Sequence, residues 1–131
     1  MKQIKQKYAI KSPVEIVWQA LVNPEVIEKW GGGPAKMRAK AGEKFSLWGG
    51  DIYGKNTRVL EGKELDQDWY QKGWKKPSKV VFKLSKKGNH TELLLTHKNV
   101  PDQDLVDIAE GWKEYYLGPL KEYLEDTSAA R

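Results

Sequence analysis

A chain of 131 residues, 39% of them hydrophobic and 31% charged, is long enough to fold as one domain around a single core. The absence of cysteine excludes disulfide bonds, thiolate nucleophiles and cysteine-ligated zinc. The net charge is +5, but only Arg38, Arg58 and Arg131 among the 23 cationic residues are arginines, which argues against specific nucleic-acid recognition because groove-reading proteins favour arginine.

The N-terminal part predicts a strand followed by two short helices. Apolar and polar side chains alternate across residues 4–10, which is the period of a half-buried strand. Ser12 and Glu15 have the spacing of a capping box, which predicts a helix over Pro13–Val22 with proline at its first position. A second helix is predicted over Pro24–Trp30, because a Gly-Gly-Gly-Pro run follows and terminates it.

The central part of the sequence has the period of two that is typical of strands. From Ala35 to Lys98 we predict about six antiparallel strands in a meander, separated by glycine-containing turns. The alternating segments are 35–39, 44–47, 52–60, 65–69, 80–84 and 93–97. The alternation slips in the third segment, which predicts a β-bulge between Gly54 and Val59.

The C-terminal third predicts one long amphipathic helix, from about Asp102 to Glu125. The apolar and aromatic residues that recur at helical spacing are Leu105, Ile108, Ala109, Trp112, Tyr115, Tyr116, Leu120, Tyr123 and Leu124. Gly111 and the pair Gly118-Pro119 interrupt this pattern, and packing or function must offset their low helix propensity. We expect Gly111 to let the helix approach the sheet closely beside Trp112.

These elements predict an α+β helix-grip fold, with residues 1–131 forming a single domain. A bent antiparallel sheet needs a cover for its concave face, and only the C-terminal helix is long enough to provide one. The expected architecture is therefore a bent antiparallel sheet with two short helices and a long C-terminal helix over a cavity.

Polar side chains share the predicted inner face of the sheet with apolar ones. They are Gln6, Tyr8, Gln67 and His97. Because buried polar groups need hydrogen bonds or water, these residues favour a partly hydrated cavity over a close-packed core. The alternative is that they lie near strand ends and reach solvent.

The sequence offers little catalytic chemistry. The strand carboxylates fall on the outward parity; they are Glu64, Asp66, Asp68 and Glu92. His90 lies beside a predicted hairpin tip, which leaves His97 as the one histidine expected to point inward. We therefore predict no catalytic residues, no metal site and no cofactor, and a protein that is not an enzyme. The weakest alternative is a cyclase-like enzyme with His97 as sole base and Tyr8 or Tyr116 as hydrogen-bond donor.

An ordered series of motifs resembles a known family. The series comprises Ser12-Pro13, Trp30, Phe45–Gly54, Leu65–Trp69, Trp74, Thr91–Leu93, Val100-Pro101 and a GWxxYY signature at Gly111–Tyr116. It is similar to the family named for the activator of the 90-kDa heat-shock chaperone ATPase (Aha-type), within the START-like helix-grip superfamily. The resemblance covers essentially the whole chain. It extends only to the C-terminal domain of the eukaryotic co-chaperone, and from 131 residues we expect no counterpart of the separate N-terminal domain found there and no full ATPase activation.

This resemblance implies a cavity between helix and sheet, and either the binding of a hydrophobic small molecule or contact with the chaperone. We predict first a non-enzymatic binding protein that holds a flat or elongated hydrophobic molecule between the sheet and the C-terminal helix. Apolar walls are expected from Trp69, Phe82, Leu93, Leu95, Trp112, Tyr116 and Leu120, and polar contacts from Tyr8, Gln67 and His97.

The rival prediction is a co-chaperone-like module that binds the 90-kDa heat-shock chaperone and stimulates its ATPase. Its expected docking residues belong to a lysine-rich stretch opposite an acidic helix face, and they are Lys75, Lys76 and Lys79. We also expect a cytoplasmic monomer without membrane or nucleic-acid partners, because no apolar run approaches the roughly 18 residues of a membrane span and no signal peptide is recognisable.

Overall fold

The computed structural model describes residues 2–129, and the side-chain environments of residues 2–126. In chain order its elements are β1 (Lys2–Ile10), α1 (Val14–Val22), α2 (Pro24–Trp30), β2 (Lys44–Leu47), β3 (Ile52–Leu60), β4 (Glu64–Gln71), β5 (Ser78–Lys87), β6 (His90–Val100), α3 (Leu105–Gly111) and α4 (Leu117–Ala129). Short 3₁₀ turns cover Trp48–Gly50 and Asp102–Asp104, and a π-helical turn, Trp112–Tyr116, joins α3 to α4. The predicted α+β helix-grip architecture is confirmed.

The six strands form one antiparallel sheet in the order β1-β6-β5-β4-β3-β2. Strands β2 to β6 form the predicted meander, and β1 pairs with β6. The register of β3 against β4 shifts between Asn56 and Arg58, which confirms the predicted bulge. The predicted strand at 35–39 is wrong, because only Lys36 bridges to Ser46 before the chain turns at Gly42, whose φ is +88°.

Helix α1 begins without the predicted capping box. Pro13 occupies the N-cap position in an extended conformation, so Ser12 lies one residue too early to cap the helix amides. The buried hydroxyl of Ser12 has no hydrogen-bond partner among residues 2–126, while the carbonyl of Ser12 accepts a hydrogen bond of 2.7 Å from Thr91. Helix α2 is capped by Asn23, whose side chain accepts a hydrogen bond from the Glu25 amide at 3.0 Å.

The π-helical turn of the long C-terminal helix lies between Gly111 and the pair Gly118-Pro119. The amide of Leu117 donates to the carbonyl of Trp112, five residues earlier, which inserts one extra residue into the turn. Pro119 has no amide hydrogen, so it cannot donate the hydrogen bond to the residue four positions earlier that a regular α-helix requires. The wider π-helical turn lies just before this proline, at a usual position for a helix irregularity. The predicted helix is thus present, but it begins with a 3₁₀ turn and consists of two α-helical segments.

The two glycines of this helix have opposite surroundings. A Cβ atom added at Gly111 would meet no atom within 4 Å, so our expectation that Gly111 permits close contact with the sheet is wrong. A Cβ atom added at Gly118 would lie 1.9 Å from the carbonyl oxygen of Lys113, which the π-helical turn brings close. Only Gly118 is therefore required by packing.

We expect the same substitution to have opposite effects at these two positions. Gly111→Ala should raise the free energy of unfolding by about 1 kcal/mol through helix propensity. Gly118→Ala should lower it by about 1–3 kcal/mol, because the added methyl group displaces the backbone of the π-helical turn. Urea denaturation of both variants measures the difference, and a gain in stability for Gly118→Ala would contradict the π-helical geometry.

Candidate functional site

An open cleft of about 560 Å³ lies between the C-terminal helix and one end of the sheet. It is bounded by the 3₁₀ turn before β3, the first residues of β3, the end of β4, and the helix from α3 through the π-helical turn. Its lining residues are Trp48, Asp51, Ile52, Trp69, Gln71, Lys72, Asp107, Ile108, Gly111, Trp112, Tyr115 and Tyr116. The volume falls in the range of small-molecule sites, roughly 300–1,000 Å³.

Stacked aromatic rings form the floor of the cleft. Trp69 of β4 stacks on Trp112 with ring centroids 5.3 Å apart and planes inclined by 26°. The ring of Tyr116 lies 4.7 Å from that of Trp112, and Trp48 contacts Tyr116 edge-on at 5.9 Å. Because each ring is held by the next, the floor is a preformed apolar surface.

Trp48 is held in place by a strained turn. Its φ is +49°, in the left-handed region that bulky residues rarely adopt, so surrounding contacts must compensate. Two contacts do so: the indole N–H donates to the carbonyl of Gly31 at 2.8 Å, and the ring packs edge-on against Trp30 at 6.2 Å. The strain fixes the indole of Trp48 as one wall of the cleft.

A directed chain of hydrogen bonds supports the floor from below. The indole N–H of Trp112 donates to Nδ1 of His97 at 3.0 Å, which leaves the ring hydrogen of His97 on Nε2. That nitrogen lies 2.7 Å from the hydroxyl of Ser78, and the hydroxyl donates to the carbonyl of Trp69 at 2.7 Å. Burial lowers the pKa of His97 to about 3, so His97 is neutral. This Trp112–His97–Ser78 relay ties the C-terminal helix to β6, to β5 and, through the carbonyl of Trp69, to β4.

Charged and exposed residues form the rim of the cleft. Asp51 and Lys72 lie at the sheet side, where the amide of Lys72 donates to the carbonyl of Asp51 at 2.8 Å. Asp107 lies on α3, one turn before Gly111. Tyr115 is 65% exposed, so its ring stands in solvent at the mouth of the cleft rather than in the core.

Some buried polar atoms around the cleft lack a hydrogen-bond partner within residues 2–126. Two of them, Trp69 Nε1 and the Tyr116 hydroxyl, belong to residues of the floor, and a third is Gln67 Oε1. Burial raises the pKa of Tyr116 far above its usual range, so its hydroxyl stays protonated. Unsatisfied buried groups cost free energy, so these atoms lower the stability that the packing around the cleft provides.

The cleft contains three of the ten residues predicted to contact a ligand, namely Trp69, Trp112 and Tyr116. The predicted apolar walls further along the sheet and helix are instead fully buried side chains of the core, and they are Phe82, Leu93, Leu95 and Leu120. These side chains fill the space beneath the middle of the helix, so the opening lies at one end of the helix–sheet interface.

The three predicted polar contacts also lie outside the cleft. His97 uses both ring nitrogens in the relay. Gln67 is buried and donates to Asn56 at 3.0 Å, while Asn56 donates to the carbonyl of Arg38 at 2.7 Å. The half-buried Tyr8 donates to the side chain of Gln6 at 2.5 Å. Direct side-chain and main-chain bonds, rather than strand-end exposure, therefore account for most of these inward polar groups.

Sequence reasoning missed several cleft residues. Trp48 and Gly111 carry detectable signals, since Trp48 precedes two turn-forming glycines and Gly111 is an unexplained glycine within a helix. Tyr115 was part of the helical stripe and of the GWxxYY signature, but the π-helical turn rotates it out of the core. Asp51 and Asp107 carry no local pattern, because their proximity depends on how the helix crosses the sheet.

All three predicted docking lysines are exposed, and two of them lie in the turn between β4 and β5. They are Lys75 and Lys76. Lys79 is different, because its ammonium group pairs with the carboxylate of Asp68, the residue directly opposite on β4. This ion pair makes Lys79 less available to a partner than its neighbours.

Residues 2–129 contain no helix that is both long enough and apolar enough to cross a membrane. The same part of the chain contains no cluster of three or more histidine, aspartate or glutamate residues suited to hold a metal ion.

An antiparallel sheet gripped by a C-terminal helix, with an aromatic cleft at their junction, defines a START-like helix-grip protein. Residues 11–125 match the model of the family described as activator of Hsp90 ATPase homolog 1-like protein. The chain belongs to this family, as its motifs predicted.

Known proteins of this kind share the fold at low sequence identity. The human activator of 90 kDa heat shock protein ATPase homolog 1 is 24% identical over 115 residues, which are 86% of this chain and 34% of the human protein. The crystal structure of an HSP90 activator from Plasmodium falciparum has a TM-score of 0.87 and 26% identity, covering 95% of this chain and 96% of that one. The crystal structure of CalU16 from Micromonospora echinospora has a TM-score of 0.76 and 32% identity, covering 92% and 71%.

The chain spans about a third of the length of the human relative. The activity and partners of the longer protein are therefore not transferred by similarity alone.

Proposed function

We propose that this protein is a non-enzymatic binding protein that holds a flat, hydrophobic small molecule in the aromatic cleft. The observation that carries this proposal is the open space of about 560 Å³ over a floor of stacked rings. Ligand sites typically combine such apolar walls with a few polar groups at the edge, which is the arrangement found here.

The stacked floor favours a planar ligand. Trp69 and Trp112 lie nearly parallel and are only 4% and 2% exposed, so a flat molecule in the cleft would contact the edges of a rigid stack without rearranging either ring. Trp48 closes one side and is fixed by its hydrogen bond to Gly31. A preformed site of this kind loses little conformational entropy when a ligand binds.

The proposal that the protein is not an enzyme rests on the engagement of His97. One ring nitrogen of His97 accepts from Trp112 and the other faces Ser78, so neither is free to take a proton from a substrate. The lining of the cleft includes no histidine and no serine, and its carboxylates lie at the exposed rim. This arrangement disfavours the cyclase-like alternative, in which His97 would act as base.

Gly111→Phe should strongly weaken ligand binding without unfolding the protein. A Cβ atom at this position would meet no atom within 4 Å, so the protein can accommodate the larger residue. The phenyl ring would extend into the cleft that Gly111 lines. We expect affinity for a cleft ligand to fall by about 100-fold, equivalent to about 2.7 kcal/mol. The measurement is tryptophan quenching with a panel of lipids, sterols and polyphenols, because three indoles line the cleft.

Gly111→Ala is the matched control, because it changes the same residue but adds only a methyl group. It should retain ligand affinity within about threefold, a change of less than 1 kcal/mol. If a compound binds the wild-type protein and Gly111→Phe with equal affinity, the ligand lies elsewhere. If no apolar compound perturbs the tryptophan signals of the wild-type protein, the binding function itself is wrong.

A second candidate function is that of a co-chaperone-like module for the 90-kDa heat-shock chaperone. It is supported by family membership and by the resemblance to a Plasmodium falciparum protein described as an HSP90 activator. We propose Lys75 and Lys76 as its docking residues, with Lys79 contributing less because of its pair with Asp68. The protein would act in the cytoplasm as a monomer.

Charge reversal at Lys75 and Lys76 tests this candidate. In a titration against the chaperone of the same organism, Lys75→Glu combined with Lys76→Glu should slow association by roughly tenfold at low salt, because exposed charges act mainly on association rate. The same reversal at Lys86 and Lys87, which are exposed in the next hairpin, is the control. Equal effects of both double variants would indicate nonspecific attraction, and no binding at low salt would exclude this function.

A further inference from the structure

The charged residues around the cleft have a sign opposite to that of the protein as a whole. The net charge of the chain is +5. The cleft lining, however, contains two carboxylates, Asp51 and Asp107, against one ammonium group, Lys72. The acidic residues lie on both sides of the opening, one on the sheet side and one on α3.

These carboxylates share the cleft with aromatic rings, of which Tyr115 is 65% exposed while Trp69, Trp112 and Tyr116 are almost fully buried. The aromatic lining residues are Trp48, Trp69, Trp112, Tyr115 and Tyr116. The faces of tryptophan and tyrosine rings attract cations, and most strongly those that are weakly hydrated, such as substituted ammonium groups. An anionic group at the mouth would meet the negative face of the exposed Tyr115 ring and the two rim carboxylates together.

We propose that the physiological ligand of the cleft is an organic cation: a planar hydrophobic body that carries a substituted ammonium group. This inference rests on the proposed binding function and specifies the chemical class of its ligand. The flat body lies against the stacked floor of Trp69 and Trp112, and the ammonium group lies at the mouth, where Tyr115 and the carboxylates of Asp51 and Asp107 face it.

The exposure of Tyr115 supports this placement of the charge. A ring that is 65% exposed makes few contacts with the core, yet it lines the mouth of the cleft one helical turn from Gly111. Its ring therefore adds a solvent-facing aromatic side to the mouth of the cleft, without a packing role that would explain it. The backbone of Asp51 is also fixed beside the cleft, because its carbonyl accepts from the amide of Lys72 at 2.8 Å.

Two probes of equal shape test the proposal. They are (naphthylmethyl)trimethylammonium and its neutral isostere, neopentylnaphthalene, and binding is followed through the NMR signals of the tryptophan indole N–H groups. The cation should bind the wild-type protein about tenfold more tightly than the neutral isostere. Asp51→Asn combined with Asp107→Asn should weaken cation binding about fivefold and leave the neutral isostere unchanged. Lys72→Gln should strengthen cation binding.

Glu122→Gln is the control, because it removes one exposed carboxylate from α4 at a position outside the cleft lining, and it should leave both affinities unchanged. Equal binding of the two probes to the wild-type protein, or equal losses in the aspartate double variant, would overturn the cationic ligand while leaving the binding function intact. If neither probe nor any apolar compound shifts the indole signals, both the inference and the binding function fail.

Discussion

Replacing Trp112 by alanine is expected to lower the free energy of unfolding by about 3–5 kcal/mol, the usual cost of removing a buried tryptophan. Trp112 is 2% exposed and packs between the C-terminal helix and the sheet. Its ring contacts Trp69, Phe82 and Tyr116, and its N–H is the donor to His97. Since native domains are stable by only about 5–15 kcal/mol, this single change should bring the protein close to unfolding at room temperature.

Urea denaturation of three variants separates packing from hydrogen bonding. Trp112→Phe keeps an aromatic ring but removes the donor to His97, and it should cost about 1–3 kcal/mol for the unpaired nitrogen and the lost volume. Val106→Ala removes a side chain that is 67% exposed on α3, and it should stay within about 0.5 kcal/mol of the wild type. A cost for Trp112→Ala no larger than that of Val106→Ala would show that the helix does not pack as described.

The stability of the protein should decrease in mild acid because of His97. In the unfolded chain His97 binds a proton near its ordinary pKa of 6.5, whereas in the folded protein burial lowers that pKa to about 3. The unfolded state therefore binds more protons between these values, and the free energy of unfolding falls as pH decreases through this range. The slope is about 1.4 kcal/mol per pH unit, which gives a loss of about 4–5 kcal/mol between pH 6.5 and pH 3.

A carboxyl group on the outer face of the sheet opposes this trend. Burial, and then a hydrogen bond with Glu64, raise the pKa of Asp66 from 3.8 to about 6. As pH falls, the folded protein therefore protonates Asp66 at a higher pH than the unfolded chain does. This uptake raises the free energy of unfolding in acid, although solvent screening reduces the effect.

Urea denaturation at a series of pH values isolates the contribution of the histidine. Asp66→Asn should steepen the acid-dependent loss of stability, because the opposing carboxyl group is gone. His97→Gln should flatten it, because the titrating ring is gone. Identical pH profiles for the wild type and His97→Gln would contradict a neutral, buried histidine in the relay.

Both predictions concern groups directly beneath the ligand cleft. Loss of the N–H donor of Trp112, or protonation of His97, would break the connection from the helix to Ser78 and to the carbonyl of Trp69. Trp69 and Trp112 are also the stacked floor of the cleft. Because folded His97 stays neutral until its pKa of about 3, we expect ligand affinity to be constant through mild acid and to fall only as the pH approaches 3.

The order and type of the secondary-structure elements were determined by the sequence itself. A period of two or of 3.6 residues depends on local side-chain geometry, and it placed β1, both short helices, the meander and the C-terminal helix. The bulge near Asn56 was equally visible as a slip in the alternation. The strand predicted at 35–39 is wrong because alternation alone does not make a strand. A strand also needs a hydrogen-bonded neighbour, and in this segment only Lys36 has one.

The inward or outward direction of a strand residue was also readable from the sequence, but its surroundings were not. Parity correctly placed Gln67 and His97 on the inner face, yet it could not supply their partners. The bond from Gln67 to Asn56 crosses to another strand, and the bonds of His97 reach both a strand and a helix. The pair of Lys79 with Asp68 depends in the same way on the register between β4 and β5.

The site itself was decided by the tertiary structure. Phe82 and Leu120 were as apolar and as inward-facing as Trp69, and only the path of the helix across the sheet left space beside Trp69 while filling it beside the other two. The π-helical turn then rotated Tyr115 out to the mouth, and the left-handed turn at Trp48 supplied the remaining wall. A sequence specifies which faces are apolar, whereas a cavity is the volume that packed faces fail to fill, and that volume exists only when all the elements are assembled.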